Sequence, residues 1–230
     1  TNPYNLVKIG QFNDGGLVFS LQIKRNIAYV AEYSNGLGIL NLSDPIHPTK
    51  LSQFYDGGES NEALILDNIA YIADRKAGFE ILDVENPKNP FKLGQYHDGG
   101  NIIGLHVTGS IAFLADYEDG LEIVDVSSRT NPTEIGQYFD GGSAHEVDIV
   151  NNLAYVADGY DGFEIIQLWE AQNSTISTST PSTHSVLDSN VTTMKTTGTE
   201  TTDAPSFETV IAILCFIYLS MVRKKMIRTG

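Results

Sequence analysis

Acidic side chains recur at two positions of a repeating pattern, and carboxylates held at fixed positions can bind a cation. One set lies in an Asp-Gly-Gly motif, and its members are Asp14, Asp56, Asp98 and Asp140. The other set follows a short apolar run, and its members are Glu32, Asp74, Asp116 and Asp158, with Asp119 and Asp161 close by. Carboxylate oxygens are preferred ligands of Ca²⁺. An Asp before Gly-Gly also stabilises a bend by bonding to its own backbone. Cation binding and turn formation are therefore both open interpretations.

These acids belong to a unit that is repeated head to tail every 42 residues. The units begin with GQFNDGG, SQFYDGG, GQYHDGG and GQYFDGG, at Gly10, Ser52, Gly94 and Gly136. Within each unit apolar residues alternate with period 2, which is typical of short strands, and Asn, Asp and Gly mark tight turns. Four strands in about 42 residues is the blade length of a β-propeller. The pattern predicts an all-β domain over residues 1–169, with repeats 10–51, 52–93, 94–135 and 136–169.

The third strand of each unit resembles the motif of a known family. Residues 121–125 read Leu-Glu-Ile-Val-Asp, which is close to Leu-Val-Ile-Val-Asp, and IAYVAEYSNGLGILNLSDPIHPTKL has the same layout in the first unit. Over residues 2–168 the chain resembles the LVIVD repeat family. The resemblance implies a propeller-like fold, found mostly in exported or surface proteins of bacteria and archaea. It implies no defined reaction and therefore no catalytic residues.

Adjacent strands of a blade run in opposite directions, so the two acidic loops of each unit should open on the same face. The first strand of each blade should line the central channel. The polar residues there that depart from the repeat are candidate channel residues, namely Glu62, His145 and Glu146, with Asn61, His106 and Asp148 beside them. His and Glu side chains that meet could act as acid, base or metal ligand. A solvated channel also tolerates polar residues without any site.

The two ends of the array predict how it could close. The last unit ends after its third strand, residues 163–168, and the N-terminus supplies a spare fourth strand at residues 6–12. Pairing of these two segments would complete a four-bladed ring and remove exposed strand edges, which favour aggregation. The alternative is a segment of a larger propeller, of roughly six to eight blades, whose other blades precede Thr1.

The charge of the repeat domain excludes one class of partner. Residues 1–169 contain 24 of the 29 acidic and 9 of the 14 basic residues, a net charge of −15. Such a domain would be repelled by nucleic acid phosphates, and it favours cations or basic partners. The single cysteine, Cys215, lies outside the repeats, so the repeat domain has no disulfide.

Residues 170–206 have the composition of a disordered stalk. Half of the 36 residues from 171 to 206 are Ser or Thr, so this stretch cannot bury enough apolar surface to fold. Ser, Thr and Pro in this proportion suit an O-glycosylated stalk, although a plain flexible linker has the same composition. Asn173 and Asn190 each begin an N-glycosylation motif, which is relevant if the stalk is exported.

Residues 207–227 are predicted to form a transmembrane anchor. The run TVIAILCFIYLSMV, residues 209–222, is followed by Arg223, Lys224, Lys225 and Arg228. A basic end of this kind is expected on the cytoplasmic side. The segment Pro205-Ser206-Phe207 resembles archaeal C-terminal sorting signals with a Pro-Gly-Phe motif, with Ser206 in the place of Gly. The prediction is a single-pass membrane protein with an extracellular propeller and a cytoplasmic tail.

These features together predict a cell-surface interaction module whose partner is an extracellular protein or glycan. One alternative is an extracellular metal-dependent hydrolase or lyase that uses the channel. A second is a structural component of a surface layer. No cofactor is expected, and Ca²⁺ binding at the acidic loops is an open alternative.

Overall fold

The computed structural model describes residues 5–168, and every regular element in that range is a β-strand. The strands form three four-stranded sheets and one three-stranded sheet, all antiparallel, and each sheet follows the order of the chain. This arrangement confirms the all-β prediction, with each sheet corresponding to one propeller blade. The predicted stalk at 170–206 and anchor at 207–227 lie outside the described residues. Between residues 5 and 168 no helix is long and apolar enough to cross a bilayer.

Blade 1 contains β1 (Ser20–Lys24), β2 (Ile27–Ala31), β3 (Leu37–Asn41) and β4 (Thr49–Phe54). Blade 2 contains β5 (Glu62–Leu66), β6 (Ile69–Ala73), β7 (Phe79–Asp83) and β8 (Phe91–Tyr96). Blade 3 contains β9 (Ile102–Thr108), β10 (Ile111–Asp116), β11 (Gly120–Asp125) and β12 (Thr133–Tyr138). Blade 4 contains β13 (Glu146–Val150), β14 (Leu153–Asp158) and β15 (Gly162–Gln167).

Two-residue turns join the first and second strands of every blade, at the places that the sequence predicts. The first turn residue has positive φ in each case, at Arg25 (58°), Asp67 (51°), Gly109 (62°) and Asn151 (60°). Asn, Asp and Gly reach this region at low cost, whereas Arg25 is strained there. Tight hairpins of this kind fix the register of the strands that follow.

Apolar side chains pack between consecutive blades and form the core. One face of each blade, its leading face, presents second- and third-strand residues, such as Phe79 and Ile81 of blade 2. The opposite, rear face of the next blade presents first-strand residues, such as Leu105 and Val107 of blade 3, and the two faces share one buried cluster. The same arrangement joins blade 1 to blade 2 and blade 3 to blade 4. Each internal blade is therefore covered on both faces.

The predicted pairing of residues 6–12 with residues 163–168 is not found. Residues 6–12 form no strand, and Leu6, Val7 and Ile9 are exposed. Within residues 5–168, β15 pairs only with β14 and forms the edge of its sheet. Instead, Phe12 packs on the buried side chains of the rear face of blade 1. The connection from this segment to β1 is short, so the segment stays beside the rear face of blade 1. Phe54 of β4 packs at the rear face of blade 2 in the same way.

Candidate functional site

The Asp-Gly-Gly motif forms a bend in which the two glycines have different functions. The first glycine has positive φ in all four copies, for example 116° at Gly99, and the space beside it is open. In blades 2 to 4 the second glycine lies very close to the acid at the end of the second strand. A Cβ added to this glycine would collide with the carboxyl group of that acid. At Gly100 that acid is Asp116. Asp98 Oδ1 also accepts a hydrogen bond from the Gly100 N–H, at 3.1 Å, so the predicted turn chemistry is present there.

The bend brings the two predicted sets of acids together, one pair in each blade. Carboxylate oxygens lie within 4.8 Å of one another in three groups: Asp56, Asp74 and Glu80; Asp98, Asp116 and Asp119; and Asp140, Asp158 and Glu164. The predicted acidic face is therefore a series of separate clusters in blades 2, 3 and 4, with Asp14 and Glu32 joined through Lys50 in blade 1. Cation binding to these residues stays a prediction.

A glutamate of the third strand completes these clusters, and the sequence analysis did not include it among the site residues. Glu80, Glu122 and Glu164 occupy equivalent positions, and Glu80 and Glu122 are fully buried. The signal was present, because a charged residue recurs in a strand that otherwise follows the apolar motif. In blade 1 this position is Gly38, which has no side chain. Glu32 stands where the other blades have Asp, and its longer side chain fills the space beside Gly38. A Cβ added at Gly38 would lie 2.8 Å from the Glu32 carboxyl group.

A lysine of the fourth strand enters the clusters of blades 1 and 2. Lys50 Nζ lies 2.5 Å from Asp14 Oδ2 and 3.7 Å from Glu32 Oε2. Lys92 Nζ lies 3.0 Å from Glu80 Oε1 and also contacts Asp56. These two clusters thus contain their own cation.

Blade 3 has Glu134 at the position of Lys50 and Lys92. Tyr96 reaches this cluster from β8, and its hydroxyl lies 3.2 Å from Glu134 Oε2 and 3.4 Å from Glu122 Oε1. Asp116 Oδ1 accepts hydrogen bonds from the N–H groups of Asn101, at 2.8 Å, and Glu118, at 3.1 Å. The backbone therefore fixes the Asp116 carboxylate, while the acids around it lack the lysine that blades 1 and 2 have.

Burial raises the pKa of the most deeply buried acids of the clusters. Removal from water, reinforced by Asp98, raises the pKa of Glu122 to about 9. Burial raises the pKa of Glu80 to about 8, with a further contribution from Asp56, and that of Asp74 to about 6. A buried carboxyl group resists ionisation unless a positive charge is close. Glu80 and Glu122 therefore favour the protonated form at neutral pH.

The three channel candidates do not form one group. Glu62 Oε2 accepts a hydrogen bond from the Leu105 N–H, at 2.8 Å. Burial, followed by the charge of Glu146, raises the pKa of Glu62 to about 7. The ring of His145 instead packs edge-on against Tyr117, with centroids 5.1 Å apart. Glu62 and Glu146 are therefore neighbours, while His145 contacts a different part of the molecule.

The flanking residue Asp148 pairs with His106, and Asn61 binds the next blade. His106 Nδ1 lies 3.1 Å from Asp148 Oδ1. The Asn61 amide donates a hydrogen bond to the Ile103 carbonyl, at 2.6 Å. These polar residues connect consecutive blades, which is a structural role.

Comparison with solved structures supports the same fold. The computationally designed Ika4 protein has a TM-score of 0.57 and 12% identity, and the match covers 72% of this chain and 100% of that chain. The computationally designed Ika8 protein has a TM-score of 0.53 and 12% identity, and the match covers 66% of this chain and 46% of that chain. Among curated proteins, none matches this sequence.

The repeats themselves match one family model. The LVIVD repeat is found four times, at residues 15–56, 57–98, 99–140 and 141–174. These matches cover well over half of the chain and have the period of the 42-residue unit. The chain belongs to the LVIVD repeat family.

Proposed function

We propose that the four-blade array is an interaction module that associates through its two end faces with a second copy of itself. The observation that carries this proposal is the exposure, at both ends of the array, of apolar side chains whose equivalents are buried between the inner blades. The rear face of blade 1 and the leading face of blade 4 are called the end faces below. The C-terminal apolar run and its basic flank support anchoring of the module at a cell membrane.

The rear face of blade 1 exposes two β1 side chains. Leu21 is 60% and Ile23 is 56% exposed, whereas Ile65, which is equivalent to Ile23 in blade 2, is 3% exposed. Phe12 covers only part of this face. In the other blades the strand equivalent to β1 packs against the preceding blade. In blade 1 the same apolar surface is exposed to water, which favours association.

The leading face of blade 4 also exposes apolar side chains. Phe163 is 67% and Ile165 is 58% exposed, whereas the equivalent Phe79 and Ile81 of blade 2 are 0% exposed. Phe79 and Ile81 pack against the rear face of blade 3. The rear face of another blade is therefore the surface that this face fits.

The hydrogen-bond acceptors of the blade 4 end face could also pair with donors of the blade 1 end face. Gln22 Oε1 of blade 1 accepts a hydrogen bond from the Ile65 N–H of blade 2, and Glu62 of blade 2 serves Leu105 of blade 3 in the same way. At the end of blade 4 the corresponding acceptors are Glu146 and Asp148, which are exposed. They stand where they could accept from the N–H groups of β1 in a second copy.

Repeat geometry favours a second copy over an unrelated partner. Both end faces have the chemistry of the inner interfaces, so two arrays can join head to tail twice and bury all four faces. The match to the designed Ika8 protein covers 46% of that chain, which supports closure of the array by further blades. Head-to-tail contacts form a ring when the rotation closes and a filament when it does not.

The test is the mass of the 230-residue chain in mild detergent, measured by light scattering. We expect a dimer for the native chain and a monomer for the double variant Ile23→Lys/Ile165→Lys, because each lysine places a charge in one end face. Ile46→Lys is the matched control, since Ile46 is also 56% exposed but lies in a loop. A monomeric native chain, or a dimer that survives the double variant, would contradict the proposal. An open series of larger masses would favour the structural role in a surface layer.

A further inference from the structure

We infer that the acidic cluster of blade 3, formed by Asp98, Asp116, Asp119 and Glu122 with Glu134 beside it, binds a divalent cation such as Ca²⁺. The cation would supply the positive charge that the Lys92 ammonium group supplies in blade 2. This inference is independent of the end-face association proposed above, because the cluster lies within one blade.

The other blades show that the cluster accommodates a positive charge. In blade 2, Lys92 Nζ contacts Asp56 and lies 3.0 Å from Glu80 Oε1 and 2.9 Å from Gln95 Oε1. In blade 1, Lys50 Nζ contacts Asp14 and lies 3.7 Å from Glu32 Oε2 and 2.7 Å from Gln53 Oε1. The same site, built twice more in this chain, thus binds a cation both times.

Blade 3 keeps the acids and reverses the charge of the fourth-strand residue. Glu134 replaces the lysine, so the ammonium group is lost and a further carboxylate is added. Among the ion pairs of residues 5–168, none joins a Lys or Arg to this cluster, and the basic neighbour of Asp98 is the exposed His97. The negative charge of the cluster is therefore greatest where the protein supplies no ammonium group.

A buried oxygen without a partner points to a ligand at this place. Glu122 is 0% exposed, and its Oε2 has no hydrogen-bond partner, while its other oxygen lies 3.4 Å from the Tyr96 hydroxyl. The Glu122 carboxyl group lies beside Asp98, whose negative charge opposes its ionisation. A buried polar atom that lacks a partner is costly, and a bound cation would remove that cost.

The distances and the ligand type suit a hard divalent cation. Carboxylate oxygens of Asp98, Asp116 and Asp119 lie within 4.8 Å of one another. Ca²⁺ binds oxygens at about 2.3–2.6 Å, so two oxygens on one ion lie at most about 5 Å apart. The Asp116 carboxylate is already fixed by backbone N–H groups, which reduces the ordering that binding requires. Oxygen-only ligands favour Ca²⁺, Mg²⁺ or Mn²⁺ over softer metals.

The decisive variant is Glu134→Lys, which gives blade 3 the residue that blade 2 has naturally. Because blades 1 and 2 fold with this lysine, the variant should fold, and its circular dichroism spectrum should match that of the native chain. We expect titration calorimetry of the 230-residue chain with CaCl2 to lose one site in Glu134→Lys. In Glu122→Gln we expect the affinity of that site to fall by more than about tenfold, because one ligand charge is removed.

The matched control is Glu80→Gln, which makes the same change in the blade that contains Lys92. It should leave the calcium titration within about twofold of the native curve, since blade 2 holds its own cation. The acids of blade 4 are unchanged in all these variants, so any heat that they produce is common to every titration. A native chain that binds no Ca²⁺ at millimolar concentration would overturn the inference. So would a Glu134→Lys titration with the native stoichiometry and affinity.

Discussion

Replacing Glu62 with glutamine should stabilise the protein at high pH and have little effect at low pH. Glu62 lies at the channel end of β5, half-buried, with its Oε2 bonded to the Leu105 N–H at 2.8 Å. Burial, followed by the charge of Glu146, raises its pKa from the ordinary 4.5 to about 7, while the Leu105 hydrogen bond opposes that change. Glutamine keeps an oxygen for the Leu105 N–H and has no charge to bury.

The sign of the effect follows from proton linkage. Between pH 4.5 and 7 the folded chain binds more protons at Glu62 than the unfolded chain does, so stability falls as the pH rises through this window. The difference between these two pKa values corresponds to about 3 kcal/mol as an upper bound. Partial exposure of Glu62 to solvent reduces this, so we expect a gain of about 1–2 kcal/mol for Glu62→Gln at pH 8.5.

The measurement is denaturant unfolding of the native and variant chains at pH 4 and pH 8.5. Glu146→Gln serves as the second arm of a double-mutant cycle, because removal of its charge should lower the Glu62 pKa and so reduce the gain from Glu62→Gln. If the free energy of unfolding of Glu62→Gln relative to the native chain is the same at both pH values, burial does not control this carboxyl group. If the cycle shows no coupling, the two channel glutamates do not interact.

Three further changes test other parts of the structure. Gly100→Ala should lower the free energy of unfolding by about 1–3 kcal/mol, because the added Cβ would collide with Asp116. Gly109→Asn, in a turn with open space around it, should change the free energy of unfolding by less than about 0.5 kcal/mol. Equal effects of the two variants in thermal unfolding would contradict the close approach of Gly100 to Asp116. Phe12→Ala should cost about 1–2 kcal/mol, because Phe12 packs on the rear face of blade 1, and an unchanged melting temperature would show that the N-terminal segment does not dock there. Removal of residues 207–230 should release the chain from membranes into the soluble fraction, and a truncated chain that still sediments with membranes would refute the predicted anchor.

Much of the blade architecture could be predicted because it depends on local patterns. Alternation of apolar residues placed the strands, and Asn, Asp or Gly at tight turns placed the hairpins at Asp67, Gly109 and Asn151. The antiparallel order of strands also put the loops of Asp98 and Asp116 on one face. Each of these inferences needs only neighbours within one 42-residue unit.

The features that could not be predicted depend on contacts between units or on single exceptions within them. Residues 6–12 have the sequence of a fourth strand, but their position is set by packing of Phe12 on blade 1, which no strand pattern encodes. Glu122 lies between the apolar residues Leu121 and Ile123, and its burial beside Asp98 became evident only from the packing of the blade. The lysines of β4 and β8 were overlooked because each is distant in sequence from the acids that it contacts.

The repeats of this chain act as controls for one another, and this is why one structure can separate scaffold from site. The Asp-Gly-Gly bend and the acid after the second strand occur in every blade, so they are explained by the fold. The fourth-strand residue is not constant, because it is lysine in blades 1 and 2 and Glu134 in blade 3. Loss of a lysine alone could be neutral at a solvated edge. A glutamate that joins buried acids, one of which already has an unpaired oxygen, makes the cluster less stable unless a cation is bound. A residue that adds negative charge in blade 3, where blades 1 and 2 have a lysine, is the kind of difference that a specific ligand explains.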